Sequence, residues 1–415
     1  MNTALIRRVN VARVFHAIRE RAGLSQGSLM DATQLDRTTV SSVIQMLEDA
    51  GWVTRAKGQP TRRVGRPTDM LYINSSAGLF LGIGLETDII RLIAAGLDGL
   101  PRAHLAVRSS LDLRRAAREI KRSVQKILRE CGVDPKLVCH VGIGLPALID
   151  NNGHIMFAPN LRWTDLKWTD LAIVPELQSV VPAPVHIENN ANAAALAEQR
   201  FGVCRGISDF ILIHGHSGIG GSVYLSDDLY RGSGGLAGEF GHIKVVPKGR
   251  PCSCGGHGCL EAYVSEKAMC ARVLELGRNV KDVSDIAEAA AQGDAIVLKV
   301  LHEAGQHLGF ALANIINVVD VHFIVLGGDL ASLAEYLLPS LQKTFTDNVL
   351  AIVASEIKFL ISALGRDAVA FGGIALAMDG FLPLFPNGIS RSSITGRSDR
   401  QNLRIALEQT KKTSS

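Results

Sequence analysis

Three of the seven cysteines crowd into one short stretch, at Cys252, Cys254 and Cys259. Thiolates and an imidazole nitrogen are the ligands that build a closed tetrahedral site for structural Zn²⁺. Two histidines could complete the set, His242 upstream of the cysteines and His257 between them. The clustering therefore predicts a structural zinc site, and a reducing compartment, rather than disulfides spread over the chain.

A second set of polar residues recurs beside glycines in the same half of the chain. It comprises Asn189 and Asn190, then Glu239 with His242, and finally Glu261 after the last cysteine. Amide, carboxylate and imidazole groups can pair with several hydroxyls at once, as a buried sugar requires. The two asparagines by themselves could equally cap a helix that follows a strand.

The elements that must position these residues follow an α/β pattern. From Leu71 onward, apolar runs alternate with helical stretches such as Leu111–Cys131. The strand-like runs are Leu79–Leu85, Val138–Leu145, Phe210–His214 and Phe323–Leu326. Glycines cluster where these runs end, at 215–221, 232–241 and 327–328, where tight turns or a close ligand would need them. An α/β body is therefore predicted.

The N-terminal segment has the pattern of a helix-turn-helix. A first helix is predicted over Ser25–Ala32, a turn follows, and Asp36 is placed to cap a second helix that runs to about Asp49. In the second helix, the apolar residues Val40, Val43, Ile44 and Leu47 share one face. The opposite face carries groups suited to phosphates and base edges, namely Arg37, Thr38, Ser41, Ser42 and Gln45. We interpret this second helix as a DNA-recognition helix.

A basic loop follows the predicted recognition helix. After Gly51 and a short β-like stretch at Trp52–Arg55, residues 57–67 are rich in Gly, Pro and Arg, which is typical of a wing. Its candidate DNA contacts are Arg55, Arg62, Arg63 and Arg66. Residues 1–68 hold eleven Lys and Arg against five Asp and Glu, whereas the whole chain carries a net charge of only +4. This asymmetry favours a nucleic-acid interface in one module, although a protein-binding helical module or a merely solvated basic face would be the alternatives.

Four motifs of the body occur together in one order. They are Glu188–Ala194 (ENNANAA), Ser217–Gly221 (SGIGG), Gly238–His242 (GEFGH) and Cys252–Glu261 (CSCGGHGCLE). In order and spacing they resemble the ROK family, which joins bacterial sugar kinases with sugar-responsive repressors such as those for xylose and N-acetylglucosamine. The resemblance covers nearly the whole chain, because the repressor branch also carries a winged helix and a segment like Gly65-Arg66-Pro67.

The resemblance implies the architecture of the chain. It predicts a winged helix-turn-helix at 1–70, followed by a two-lobed, actin-like ATPase fold whose ligand cleft lies between the lobes. The lobes are expected at 77–187 and 188–380, and residues 381–415 form a C-terminal tail.

The resemblance also implies site residues. It places the sugar against Asn189, Asn190, Glu239, His242 and Glu261. It favours His242 over His257 as the fourth zinc ligand beside Cys252, Cys254 and Cys259, and it brings Asn160 near the cleft.

The chain departs from the kinase members at two catalytic parts. Kinases have an aspartate base where this chain has Asn190, and an amide cannot take up a proton from a sugar hydroxyl near neutral pH. Their DxGGTK phosphate loop is replaced by a stretch that contains Glu86 and Asp88, whose charges would repel a triphosphate unless a metal ion intervened. His216 also stands where the second phosphate loop has a glycine. The chain is therefore predicted not to be an enzyme.

Together these features predict a cytoplasmic, sugar-controlled transcriptional regulator, in the first instance a repressor, of carbohydrate-metabolism genes. Its expected partners are operator DNA and a sugar or sugar derivative, it should form a homodimer or homotetramer, and no apolar stretch suggests a membrane span. An active ATP-dependent sugar kinase with a DNA-binding head is the first alternative. A DNA-binding scaffold that has lost its ligand is the second.

Overall fold

The structure, a computed structural model, describes residues 3–57, 69–87, 89–108, 112–151, 154–158, 163–167 and 173–382. Predictions that concern Arg62, Arg63, Arg66, Asp88, Asn160 and the tail beyond residue 382 fall outside these residues. Within the described chain, no helix combines the length and apolar character needed to cross a bilayer.

The N-terminal module, which we call the head, contains three helices and a small antiparallel sheet. Its elements are α1 Thr3–Glu20, β1 Leu24–Ser25, α2 Gln26–Thr33, α3 Arg37–Asp49, β2 Val53–Lys57 and β3 Asp69–Ile73. The three strands pair in the order β1-β3-β2. This is a winged helix-turn-helix, as the sequence predicted.

Side-chain caps define the two helices of the helix-turn-helix. The Ser25 side chain accepts a hydrogen bond from the backbone of Ser28 at the start of α2, and Asp36 does the same from Thr39 at the start of α3. Between them Gln34 adopts the left-handed conformation with φ 54°, which turns the chain. The predicted bounds of both helices are thereby confirmed to within one residue.

The first lobe is built on a mixed five-stranded sheet. Its elements are β4 Leu79–Leu85, β5 Ile89–Gly96, β6 Pro101–Arg108, α4 Leu113–Cys131, β7 Val138–Leu145, β8 Leu148–Ile149, β9 His154–Ala158, β10 Trp163–Lys167, α5 Ile173–Gln178 and β11 Val185–Asn189. The main sheet has the order β11-β7-β4-β5-β6, and β8, β9 and β10 form a separate small sheet.

The second lobe repeats this arrangement. Its elements are α6 Asn190–Arg200, β12 Phe210–Gly215, β13 Ile219–Leu225, β14 Asp228–Leu229, α7 Glu261–Val264, α8 Glu266–Glu275, α9 Val283–Ala291, α10 Ala295–Val319, β15 Phe323–Gly328, α11 Asp329–Ser332, α12 Ala334–Asn348, α13 Ala351–Ala354, β16 Lys358–Ile361 and α14 Ala368–Phe381. The sheet order is β14-β13-β12-β15-β16, so each lobe has three antiparallel strands followed by two parallel ones. The predicted two-lobed α/β fold is confirmed.

Helices α6 and α14 fill the space between the two sheets. Every residue of α6 from Ala191 to Glu198 is buried, as expected for a helix that is covered on all sides. Helix α14 packs against α6 and against β4 and β7 of the first lobe, although it comes from the C-terminal end of the range expected for the second lobe. The chain thus returns to the first sheet before it ends, and the exact division into lobes stays a prediction.

Glycines let α14 approach the first sheet closely. A Cβ atom on Gly142 of β7 would overlap the backbone oxygen of Gly373 in α14. We therefore expect Gly142→Ala to lower the free energy of unfolding by about 3 kcal/mol, through overpacking against a backbone that cannot move aside. Urea denaturation measures this change. Gly234→Ala is the control, because its added methyl group would meet open space, and an equal loss in both variants would contradict the expectation.

The head rests on the C-terminal end of α14. Phe381 lies with its ring centroid 5.9 Å from that of Phe15 in α1, 4.7 Å from that of Trp52 and 5.6 Å from that of Phe80 in β4. The buried His16 ring donates from Nε2 to the backbone oxygen of Leu382 at 2.9 Å. One apolar cluster therefore runs from the helices of the head into the first lobe.

Candidate functional site

A cleft of about 760 Å³, counting its open mouth, lies between the lobes. The five residues expected around a sugar all line it, namely Asn189, Asn190, Glu239, His242 and Glu261. They come from the end of β11, the start of α6, a short turn at Phe240–His242 and the start of α7. The cleft also has lining residues that the sequence analysis did not place against the sugar, among them His214, Ser217 and Ser253. Residues up to 72 positions apart are thus brought together in one polar cavity.

The two asparagines play different structural parts. The Asn189 side chain caps α6 by accepting hydrogen bonds from the backbone of Ala191 and Asn192, and it donates to the backbone oxygen of Ala147. Among the described residues, the Asn190 side-chain oxygen accepts a hydrogen bond only from the backbone of Ala191, at 2.9 Å. The helix-cap interpretation is therefore right for Asn189, while Asn190 keeps its amide N–H groups for the cleft.

A buried ion pair holds the start of α6 in place. Glu188 accepts two hydrogen bonds from Arg231, at 3.0 and 2.7 Å, through one carboxylate oxygen. Its other oxygen accepts from the backbone of Asn189 and the side chain of Asn192. Removing either charge would leave the other buried and unpaired, which is costly. Nothing in the local pattern around Arg231 indicated this role.

Two carboxylates face each other across the cleft. The Glu261 carboxylate accepts from the backbone of Ile219 at 3.1 Å and from the Ser253 hydroxyl at 2.7 Å, so it is tied to the cleft wall. Burial, together with the charge of Glu261, raises the pKa of Glu239 to about 7. Nε2 of His242 lies 3.9 Å from the Glu239 carboxylate. Glu239 is therefore a polar group whose charge is sensitive to what enters the cleft.

The four residues expected to bind zinc form one group, which we call the cysteine cluster. One ligand atom from each of His242, Cys252, Cys254 and Cys259 lies within 4.8 Å of the others. Nδ1 of His242 is 3.7 Å from the Cys252 sulfur, and the sulfurs of Cys254 and Cys259 are also 3.7 Å apart. Tetrahedral Zn²⁺ with Zn–S bonds of about 2.3 Å would separate its sulfurs by roughly 3.7 Å. The cluster could therefore hold a metal ion.

His242 connects the cysteine cluster to the cleft. Its Nδ1 atom faces the Cys252 sulfur, while its Nε2 atom is on the side of Glu239. One ring can thus serve both groups. His257, the other imidazole near the cysteines, is not part of the four-residue group.

The opposite part of the cleft is charged. Glu86 directly follows β4. Its Oε2 atom lies 3.2 Å from Nε2 of His216, and Nδ1 of His216 lies 3.1 Å from Oδ2 of Asp329. Thr87 donates a long hydrogen bond, 3.4 Å, to the Ser217 hydroxyl across the lobes. Charged side chains therefore line this part of the cleft, beside Gly218 and Gly220.

The outer face of α3 is exposed as expected. Arg37, Thr38, Ser41, Ser42 and Gln45 are all exposed, and the four apolar residues of the other face are buried. Arg55 on β2 is also exposed, but it forms a two-pronged ion pair with Glu48 at 2.6 and 2.9 Å. Part of its charge is therefore already compensated within the head.

Family models match both parts of the chain. The ROK family model matches residues 104–380, and a MarR family model matches residues 8–64. The xylose repressor of Bacillus spizizenii is 30% identical over 382 residues, which cover 91% of this chain and 97% of that protein. The similarity therefore extends over the head and both lobes.

Solved structures match as well. A ROK family transcriptional regulator, a homologue of the E. coli MLC protein, superposes with a TM-score of 0.77 at 25% identity, over 91% of this chain and 96% of that chain. A ROK family glucokinase from Streptomyces griseus in complex with glucose and AMPPNP gives a TM-score of 0.64 at 29% identity, over 73% of this chain and 100% of that chain. The regulator thus matches the head as well as the body, whereas the glucokinase covers the smaller share.

Proposed function

Because this chain belongs to the ROK family, we propose that it is a sugar-responsive transcriptional repressor that binds operator DNA through its head. The observation that carries this proposal is that one chain contains both an exposed, polar recognition helix and a cleft lined by Asn190, Glu239 and Glu261. The regulator relatives, which match over the head and the body, support it further.

The cleft is the proposed sugar site. The donors and acceptors of Asn189, Asn190, Glu239, His242 and Glu261 suit a ligand with several hydroxyl groups. A sugar that binds the closed arrangement of the lobes better than the open one would shift the chain toward closure. The α6 and α14 helices lie between the lobes, and the head rests on α14, so closure would move the head.

We propose that the body does not phosphorylate the sugar. Asn190 occupies the position of the kinase base and cannot accept a proton near neutral pH. Glu86, His216 and Asp329 fill the region of the phosphate loops with side chains, two of them acidic. Without a bound metal ion, a triphosphate would meet negative charge there.

The proposed DNA contacts are Arg37, Thr38, Ser41, Ser42 and Gln45 of α3, with Arg55, Arg62, Arg63 and Arg66 of the wing. We also propose a homodimer or homotetramer, which would match a pseudo-palindromic operator. Exposed apolar side chains on the second lobe, at Val318, Leu350 and Ile352, support self-association because such groups gain from being covered.

A mobility-shift assay tests the proposed function. We expect the purified protein to bind its own promoter DNA at fixed salt, and one member of a panel of sugars to weaken that binding at least tenfold. In the same preparation, ATP with each sugar should produce no sugar phosphate. Sugar phosphorylation without any specific DNA shift would refute the repressor proposal in favour of a kinase.

We further propose that the cysteine cluster holds structural Zn²⁺. Four ligands of the required kinds lie at suitable separations, and burial raises the pKa of the Cys252 thiol, so a cation would be needed to keep it ionised at neutral pH. When bound, the ion would fix the loop between His242 and Glu261. The zinc would thus act on the sugar site only by positioning it.

We expect Cys254→Ser to reduce the zinc content from about one ion per chain to near zero and to lower the melting temperature. Elemental analysis after dialysis and thermal denaturation measure the two effects. Cys131→Ser is the matched control, since Cys131 is a half-buried cysteine of the first lobe at the end of α4. Full zinc content in the Cys254 variant would show that the metal is bound elsewhere.

A further inference from the structure

A second group of metal-ligating side chains lies where the lobes meet, separate from the cysteine cluster. His216 follows β12, Glu266 begins α8 and Asp329 begins α11. One ligand atom from each of the three lies within 4.8 Å of the others. Asp329 is almost completely buried, at 2% exposure, and the other two are half-buried. The proposed sugar site and the proposed zinc site use none of these three residues.

The His216 ring is oriented from both sides. Its Nδ1 atom is 3.1 Å from Oδ2 of Asp329, and its Nε2 atom is 3.2 Å from Oε2 of Glu86 in the first lobe. Histidines that ligate metals through one nitrogen commonly have a carboxylate at the other, which sets the tautomer and the direction of the ring. A proton on Nε2, on the side of Glu86, would leave the Nδ1 lone pair facing Asp329.

The charges of the group favour a cation. Glu266 and Asp329 each place a carboxylate oxygen within 4.8 Å of the other, so two acidic groups are crowded together in the cluster. Arg366 offers partial compensation, with Nε 3.6 Å from Oδ1 of Asp329, but Oδ2 is on the side of His216. A positive ion between Oδ2, Glu266 and His216 would relieve the remaining repulsion.

A further buried polar atom points to a missing partner in the same place. His214 is 4% exposed and lines the cleft, and its Nδ1 atom has no hydrogen-bond partner among the described residues. Its ring lies against Gly327 and Gly328, the two residues that precede Asp329. Buried polar atoms in folded proteins usually have a partner, which can be an ordered water or an ion. Hydration around a bound cation would supply one.

We propose that His216, Glu266 and Asp329 form a binding site for a divalent transition-metal cation, with Glu86 positioning His216. One imidazole nitrogen and two carboxylate oxygens suit Mn²⁺, Fe²⁺ or Zn²⁺ better than Mg²⁺ or Ca²⁺, which prefer oxygen alone. Water would complete the coordination. Because Glu86 belongs to the first lobe and the ligands to the second, the site lies at the seam between the lobes.

Titration with Mn²⁺ tests the site on the full-length protein loaded with one equivalent of Zn²⁺ per chain, which the thiolates of the cysteine cluster bind first. Electron paramagnetic resonance counts the free Mn²⁺, which has little affinity for thiolates. We expect about one Mn²⁺ per chain. His216→Ala and Asp329→Asn should each weaken binding more than tenfold, and Glu86→Gln, which removes no ligand, about tenfold. Circular dichroism verifies that each variant is folded.

The matched control is His322→Ala. Nε2 of His322 also lies 3.2 Å from a carboxylate, that of Glu356, but this pair is more than half exposed and belongs to no cluster of metal-ligating residues among the described residues. Mn²⁺ affinity in this variant should equal that of the unmodified protein. Equal affinity in the unmodified protein and the His216 variant would overturn the proposal and leave His216 as an ion-paired bridge between Glu86 and Asp329. Loss of Mn²⁺ on Cys254→Ser with retention in His216→Ala would overturn it by placing the ion in the cysteine cluster.

Discussion

Replacing Glu239 by alanine is expected to abolish the response of DNA binding to sugar at concentrations that fully release the unmodified protein. Glu239 lines the cleft, and its carboxylate stands near His242 and Glu261 without being tied to the backbone as Glu261 is. A hydrogen bond to a charged group contributes about 1.5–3 kcal/mol, so its loss should weaken sugar binding roughly tenfold to a hundredfold. The measurement is the sugar concentration at half release of promoter DNA in a mobility-shift assay.

The design of this experiment separates ligand binding from folding. DNA affinity without sugar should not change, because Glu239 lies in the second lobe and away from the head. Glu335→Ala is the control, since Glu335 is an exposed glutamate in the first turn of α12. If the Glu239 variant were released at the same sugar concentration as the control, the cleft would not be the sugar site.

Local patterns in the sequence predicted the local structure well. The strand-like runs at Leu79–Leu85 and Val138–Leu145 coincide with β4 and β7, because buried strands are read directly from continuous apolar stretches. Asp36 caps α3 as expected, because a cap requires only neighbouring residues. The outward face of α3 follows from helical periodicity for the same reason.

No local sequence pattern predicted the contacts between distant segments. His216, Glu266 and Asp329 are separated by at least fifty residues from one another, and only the junction of β12, α8 and α11 brings them together. The return of α14 to the first sheet was also not predicted, because its apolar, glycine-rich sequence is suitable for a buried helix in either lobe. The cleft residues were found only because their motifs occur together in one order.

Asn189 belongs to the motif that predicted the sugar site, but its side chain has a structural role. Its side chain forms the cap of α6 and a hydrogen bond to Ala147, so it is engaged whether or not a sugar is present. Asn190, the next residue, has amide hydrogens left for a ligand. Residue type alone does not distinguish their contacts, whereas the side-chain hydrogen bonds in the structure do.

Phe381→Ala is expected to uncouple DNA binding by the head from sugar binding in the cleft. Phe381 ends α14, which packs between the lobes, and its ring joins Phe15 and Trp52 of the head to Phe80 of the first lobe. The coupling free energy between two sites is typically about 1–3 kcal/mol. It requires a structural element whose conformation is influenced by both sites. We expect the variant to bind promoter DNA while the ratio of its affinities without and with sugar falls toward one.

Two further variants serve as controls for this experiment. Phe381→Leu should keep most of the sugar response, because it retains an apolar side chain against Phe15 and Trp52. Phe310→Ala removes a phenylalanine that is 38% exposed on α10, outside the head contact, and should leave the response intact. A full response in Phe381→Ala would mean that movement of α14 does not reach the head through this ring. A second connection between α14 and the head is made by the ion pairs of Arg200, which lies 2.7 Å from Asp379 and 3.8 Å from Glu20 of α1.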